Sequence, residues 1–339
     1  LVSTSIKIFF EGVRYSLKVL LLGYYGYGNF GDELMRLALE DFFQKFEIQY
    51  VTALPKRQSN DTISRFNLFQ IMGALYECDM LIYGGGGLLQ DVTSLRSFLY
   101  YASVIELANM MRKPVVLFGN SLGPTKRWIS RFILRQLVKK PDVYLFVRDI
   151  VSFRYAKRLN GNTILSADPS VRILRKFEVV PEKRYDLVIV PRNSERIHEY
   201  TIFGRKFNKV LVCPSQDTDI HVAKTIATNI GADLFEETHD VAESLKKILS
   251  GEFIISERFH PAVVASYFGV PFVSLENSKA QRFFRKYTKR RDFFAREVWE
   301  VEERIERIKR EPLYLRDVMD KEADESFKQL YRLMLRLKK

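Results

Sequence analysis

KVLLLGYYGYGNFGDE (residues 18–33) joins an apolar run to a glycine-rich turn and then to the helical pattern that starts at Glu33. Read as strand, loop and helix, it opens a βαβ unit. The same order recurs downstream. IQYVTAL precedes a helical stretch at 64–76, DMLIYG one at 97–111, PVVLFG the basic stretch 125–140, and VYLFVRD one that ends near Leu159. Such alternation specifies a parallel sheet covered on both faces. The charged, proline-containing segment 172–186 interrupts it, and a second alternation starts at LVIVPR (187–192) and continues through KVLVCP, ADLFEE, EFIISE and PFVSL. The expected fold is α/β, with two Rossmann-like domains facing one cleft. The expected divisions are residues 1–172, a linker at 173–186, residues 187–300, and a helical tail at 301–339.

Length agrees, since 339 residues exceed what one core commonly organises. Two cysteines, Cys78 and Cys213, and four histidines offer neither a disulfide framework nor a zinc pattern, so no metal is expected and a reducing cytoplasm is. No apolar stretch has the length of a membrane span, and residues 1–16 lack the order of a secretory signal. A net charge of +13 favours an anionic partner. In the stretch 125–140, Arg127, Arg131, Arg135 and Lys139 recur every four residues beside Trp128, Ile129 and Phe132. That pattern fits a solvated helix face or a contact with the inner face of an anionic membrane. Nucleic acid is not expected, because neither a helix-turn-helix pattern nor an aromatic-basic single-strand motif is present.

In open α/β sheets, ligands bind beyond the carboxyl ends of strands, which directs attention to the loops there. Gly26, Gly28 and Gly31 satisfy GxGxxG, yet the acidic residue expected after the second strand is missing, and Asp32 and Glu33 occupy the helix start that a phosphate would need. A carboxylate there suits a hydroxylated ligand, with Gly28 and Asn29 beside it; the alternative is that Asp32 only caps the helix. The run GGGGLLQD (84–91) permits close backbone approach and an anion nest at Gly85 and Gly86, with Gln90 and Asp91 as polar contacts. Arg148 and Arg192 each end an apolar run, as surface ion-pair residues or as cleft cations. In SERFHP (256–261), Arg258 and His260 stand two apart after a buried strand, and Lys279 follows PFVSL.

GYYGYGNFGDE, GGGGLLQD, GNSLGP, VRD, ADPS, PSQDTD and RFH with GVPFVSLENSK, in this order, resemble the polysaccharide pyruvyl transferase family of bacteria over about residues 18–283. The resemblance implies a glycosyltransferase-B-like pair of domains. It also implies transfer of pyruvate from phosphoenolpyruvate, a co-substrate rather than a cofactor, onto two hydroxyls of a hexose as a cyclic ketal. The implied acceptor is a glycan or lipid-linked sugar, and such products help anchor surface-layer proteins. Carried over by motif, the family's aspartate falls on Asp32, its arginine on Arg148, its histidine on His260 and its lysine on Lys279. Ser256-Glu257-Arg258-Phe259-His260 stands where the family commonly has G-M-R-L-H, and Asn277-Ser278-Lys279 where it has D-P-K, which alters the pocket around the ionisable groups.

The expected division of labour is Asp32 as base and His260 as acid. Arg148, Arg258, Lys279, Gly85 and Gly86 are expected on the donor side, and Gly28, Asn29, Gln90 and Asp91 on the acceptor side. A nucleotide-sugar glycosyltransferase of the same architecture is the rival, since arginine and lysine equally grip a diphosphate.

Overall fold

The computed structural model describes residues 17–338. The first unit runs β1 (Lys18–Leu22), α1 (Phe30–Lys45), β2 (Gln49–Leu54), β3 (Thr62–Ser64), α2 (Leu68–Glu77), β4 (Met80–Gly86), α3 (Leu95–Met110), β5 (Val115–Asn120), α4 (Trp128–Lys139), β6 (Val143–Val147), α5 (Ile150–Lys157), β7 (Thr163–Leu165) and α6 (Ser170–Leu174). Its strands form one parallel sheet in the order β3-β2-β1-β4-β5-β6-β7.

The second unit runs β8 (Leu187–Val190), α7 (Ile197–Gly204), β9 (Val210–Val212), α8 (Ile220–Ile230), β10 (Asp233–Leu234), α9 (Val241–Ile248), β11 (Ile254–Ser256), α10 (Phe259–Phe268), β12 (Phe272–Leu275), α11 (Ser278–Phe284) and β13 (Phe294–Ala295). It too is parallel, in the order β10-β9-β8-β11-β12-β13. Two helices follow, α12 (Trp299–Arg310) and α13 (Arg316–Leu337).

Central strands such as LVIV in β8 and VVLFGN in β5 are buried throughout, as expected of a parallel sheet covered on both faces. Helices begin at the sheet's carboxyl edge, where polar side chains hold their free N–H groups. Asn29 accepts from Asp32 N–H, Asn67 from Gln70, Ser94 from Ser97 and Asp149 from Ser152.

Two local expectations need correction. The helix expected at 64–76 starts at Leu68, because Thr62–Ser64 pairs with β2 as an edge strand and Asn67 supplies the cap. ADLFEE pairs over Asp233–Leu234 only. The tail is helical and packs on both units. Helix α12 buries Val301 and Ile308 in the core of the second unit, whereas α13 returns to the first, where the Phe118 and Phe327 ring centroids lie 4.9 Å apart. Ser326 Oγ accepts from Ala167 N–H at 2.9 Å, which ties the end of the chain to the segment before α6.

Candidate active site

The carboxyl edges of the two sheets border a cleft of about 670 Å³. Its walls come from strand ends in both units: Asp32 after β1, Gly86 and Gly87 at β4, Arg148 after β6, Arg192 after β8, Gln216 after β9, His260 after β11 and Lys279 after β12. Phe30 N–H donates to Ser215 C=O at 3.0 Å and Asn29 Nδ2 to Gln216 Oε1 at 3.0 Å, so the start of α1 is pinned to the opposite unit.

Helix α1 is capped by Asn29, not by Asp32. Glu33 accepts from Gly26 N–H and pairs with Arg36 at 2.7 Å. The Asp32 carboxylate is left facing the cleft with no hydrogen bond or ion pair among the described residues. Burial raises its pKa to about 7 despite the cations of Lys279 and Arg148. Across from it Lys279 has no carboxylate within ion-pair distance, and burial together with Arg148 lowers its pKa to about 8, against the pull of Asp32. Among the described residues Lys279 and Arg192, the latter at the rim, have no ion pair.

The other cations are partnered. Arg148 is buried, with Nη1 2.5 Å from Asp168 Oδ2, Nε donating to Ser121 Oγ at 3.2 Å, and its guanidinium 4.3 Å from the Phe259 ring centroid. Arg258 grips the Asp219 carboxylate, with Nε to Oδ2 at 2.8 Å. Histidine 260 opens α10 packed against Gly31, and its Nε2 is 3.5 Å from Asp168 Oδ2. Burial lowers the His260 pKa; Asp168 opposes this, while Arg148 and Lys279 add to it. Asp168 lies well below the usual carboxylate range: burial alone would raise it, but Arg148 and His260 overcome that.

Asp32, Arg148, Arg258, His260, Lys279, Gly86, Asn29 and Gln90 all line the cleft. Gly28, Gly85 and Asp91 do not. A Cβ on Gly28 would meet Asp217 and Thr238 of the other unit, and one on Gly85 would meet Met35, so at both positions the missing side chain makes room for close packing. The Asp91 carboxylate accepts from Lys126 N–H at 2.6 Å and Arg127 N–H at 2.9 Å, which fixes the entry to α4. Gln90 lines the cleft while its Oε1 holds Val92 and Thr93 N–H.

The model of the polysaccharide pyruvyl transferase family matches residues 29–279, a span that holds every cleft-lining residue named above. This chain belongs to the polysaccharide pyruvyl transferase family. It is therefore an enzyme of the pyruvyl-transfer type acting on a polysaccharide. No curated protein matches the sequence significantly.

Among solved structures, the chain is similar to a glycosyltransferase from Rickettsia africae (7% identity, 96% of this chain and 99% of that one, TM-score 0.56). It is also similar to a UDP-GlcNAc 2-epimerase from Neisseria meningitidis bound to UDP-GlcNAc (12%, 94% and 100%, 0.55). A third is S. aureus MnaA with UDP (11%, 86% and 87%, 0.57). At such identities the likeness is one of fold, the glycosyltransferase-B-like pair of Rossmann-like domains.

Motif reading leaves without a role Asp168, which lies behind the cleft against Arg148 and His260, and Asp219, which lines the cleft and holds Arg258. Their signal is positional: ADPS follows β7, and QDTD follows β9, both at carboxyl ends. Gly87 is a third. A Cβ there would lie 3.1 Å from Lys279 Nζ, so the missing side chain gives that ammonium its place in the cleft. Among the described residues no group of three or more His, Cys, Asp or Glu is arranged to hold a metal, and no helix is long and apolar enough to cross a membrane.

Proposed function

We propose that this cleft transfers pyruvate from phosphoenolpyruvate to two hydroxyls of a hexose in a cell-surface polysaccharide precursor, forming a cyclic ketal and releasing phosphate. One observation carries the reading. The side chains of Asp32, Lys279 and Arg192 converge on one cleft with no hydrogen bond or ion pair among the described residues, while the other cleft cations, Arg148 and Arg258, are held by carboxylates. Unpaired cations opposite an unpaired carboxylate are what an anionic donor and a hydroxylated acceptor require.

The donor carboxylate and phosphate bind Lys279, with Arg192, Arg148 and Arg258 around them, each charge-assisted hydrogen bond contributing about 1.5–3 kcal/mol. The acceptor hexose lies toward Asp32, Asn29 and Gln90, on the Tyr24 ring. Burial, Arg148 and Lys279 together outweigh Asp168 and disfavour the charged form of His260. A bound anion offsets those cations and raises its pKa, so donor binding arms it as an acid. It then delivers a proton to the methylene carbon, leaving cationic character at the adjacent carbon. The first hydroxyl attacks there and its proton passes to Asp32, whose pKa of about 7 suits a base near neutrality. The second hydroxyl displaces phosphate, which leaves with that hydroxyl's proton. The cytoplasm, at the inner face of the membrane, is the place that supplies such a donor.

The decisive assay measures phosphate release from phosphoenolpyruvate with candidate hexosides, together with the mass of the product. Phosphate release with a pyruvate ketal on the sugar supports the reading. Release of a nucleotide diphosphate from a sugar nucleotide, with none from phosphoenolpyruvate, overturns it in favour of a glycosyltransferase.

A further inference from the structure

Helices α2, α3 and α4 pack over one face of the first sheet, burying Ile71 and Leu75, Phe98 and Ile105, and Leu134 and Leu137 in one core. Each leaves a parallel strand, so all three start at the carboxyl edge that borders the cleft. Around those starts large apolar side chains stand in solvent. Phe66 is 68% exposed and Phe69 84% at α2, and Trp128 is 74% and Phe132 56% exposed on α4; Leu99 of α3 is also exposed. The core explains the inward side of these helices; Phe66 also meets the Arg65 guanidinium at 5.6 Å, and Phe69, Trp128 and Phe132 are left without a fold role.

Charge decides what covers them. On α4, Trp128, Arg131, Phe132, Arg135 and Lys139 follow at three- and four-residue spacing and share one outward stripe, and the helix has no acidic residue. Among the described residues Arg135 has no ion pair, and Arg131 donates only to the backbone carbonyl of Lys126. Val92 and Pro124, in the loops that lead to α3 and α4, line the cleft itself, so this surface is continuous with the cleft mouth.

We propose that the outward face formed by the starts of α2 and α3 and by the length of α4 docks on an anionic lipid bilayer, with Phe66, Phe69, Trp128 and Phe132 entering the headgroup region and Arg131, Arg135 and Lys139 meeting acidic headgroups. Aromatics interleaved with unpaired cations are the composition of an interfacial helix, and the chain's +13 charge adds long-range attraction. Docked this way, the cleft opens at the lipid surface. The contact rests on this face alone and is scored without turnover, so it stands or falls separately from the transferase reading.

The test is flotation of the full chain with vesicles of phosphatidylcholine mixed with phosphatidylglycerol, against pure phosphatidylcholine. Two variants accompany it, Trp128→Ala with Phe132→Ala, and Arg131→Gln with Arg135→Gln. All four positions are exposed and outside the cleft, so thermal melting and turnover on a soluble hexoside should stay at wild-type values. Wild type is expected to float with the anionic vesicles only, and each variant to bind them at least about tenfold more weakly. Absence of wild-type flotation, or equal flotation of wild type and both variants, overturns the proposal. So does a concentration-dependent dimer by sedimentation that the Trp128→Ala, Phe132→Ala variant abolishes while vesicles stay unbound, since a second copy is then the occupant.

Discussion

Gly31 and His260 interlock across the cleft: a Cβ on Gly31 would stand 1.6 Å from Nδ1 of the imidazole. Gly31 lies within α1, so what glycine supplies at this position is space, and the ring occupies it. Gly31→Ala must push His260 off its seat. Overpacking of this kind costs about 1–3 kcal/mol. The expected result is a lower melting temperature together with loss of most turnover, measured by thermal melt and phosphate release. Wild-type turnover in Gly31→Ala would show that the position of His260 does not matter to the chemistry.

Lys279 gives a pH signature. With a pKa of about 8, it is charged below that value and neutral above it. The KM for phosphoenolpyruvate should therefore be flat below about pH 8 and climb above it, without a matching fall in kcat. Lys279→Arg, which stays charged, should remove the climb. Lys279→Met should raise the KM roughly tenfold to a hundredfold at every pH, the equivalent of one lost charge-assisted hydrogen bond. A pH-independent KM in wild type would remove Lys279 from donor binding.

Much of this was legible in the sequence, and the reason is the parallel sheet. Its buried strands read as apolar runs, and the topology forces every following loop to one edge. That placed Asp32, Arg148, His260 and Lys279 at a shared cleft before any coordinates. What stayed illegible depends on contacts distant in sequence. Whether Asp32 or Asn29 caps α1 is decided by which side chain turns back to the helix, and Gly28 is set against Asp217 and Thr238, far along the chain. Asp91 looks like a ligand contact from its glycine-rich neighbourhood, yet the N–H groups of Lys126 and Arg127 claim both of its oxygens. Helix α13 carries charge on most of its turns, and its return to the first core depends on Phe327, Leu330 and Met334 meeting Phe118 and Phe42.

Asp32→Asn should move activity and stability in opposite directions. The folded-state pKa, about 7, lies above the ordinary value of 3.8, so ionising Asp32 works against folding once the pH passes between these values, and the full cost applies above about pH 7. The amide removes that cost, on the order of 2 kcal/mol for a half-buried carboxylate. Asn29 still caps the helix, so no compensating loss is expected there. Turnover should fall by at least about a hundredfold, as for loss of a general base. The check is a melting curve at pH 8 beside a kcat measurement; a lower melting temperature with near-normal kcat would mean that Asp32 is structural.

Asp168→Asn tests the buried pair behind the cleft. Asp168 lies within ion-pair distance of both Arg148 and His260, and Arg148 has no other ion pair among the described residues. Removing its charge leaves the guanidinium buried and uncompensated, which typically costs about 3–5 kcal/mol. The pH dependence follows from the sign of the shift. Because the folded-state pKa lies far below 3.8, the stabilisation is fully present above that value and is lost as the pH falls below it. Wild type should therefore lose stability steeply below about pH 4, and the variant, already without that contribution, should show a shallower decline. Loss of the carboxylate also removes the one influence that raises the His260 pKa, so the imidazole proton resonances should titrate at lower pH in the variant. Equal acid sensitivity in both proteins, with an unmoved His260 titration, would show that Asp168 neither holds Arg148 nor orients His260.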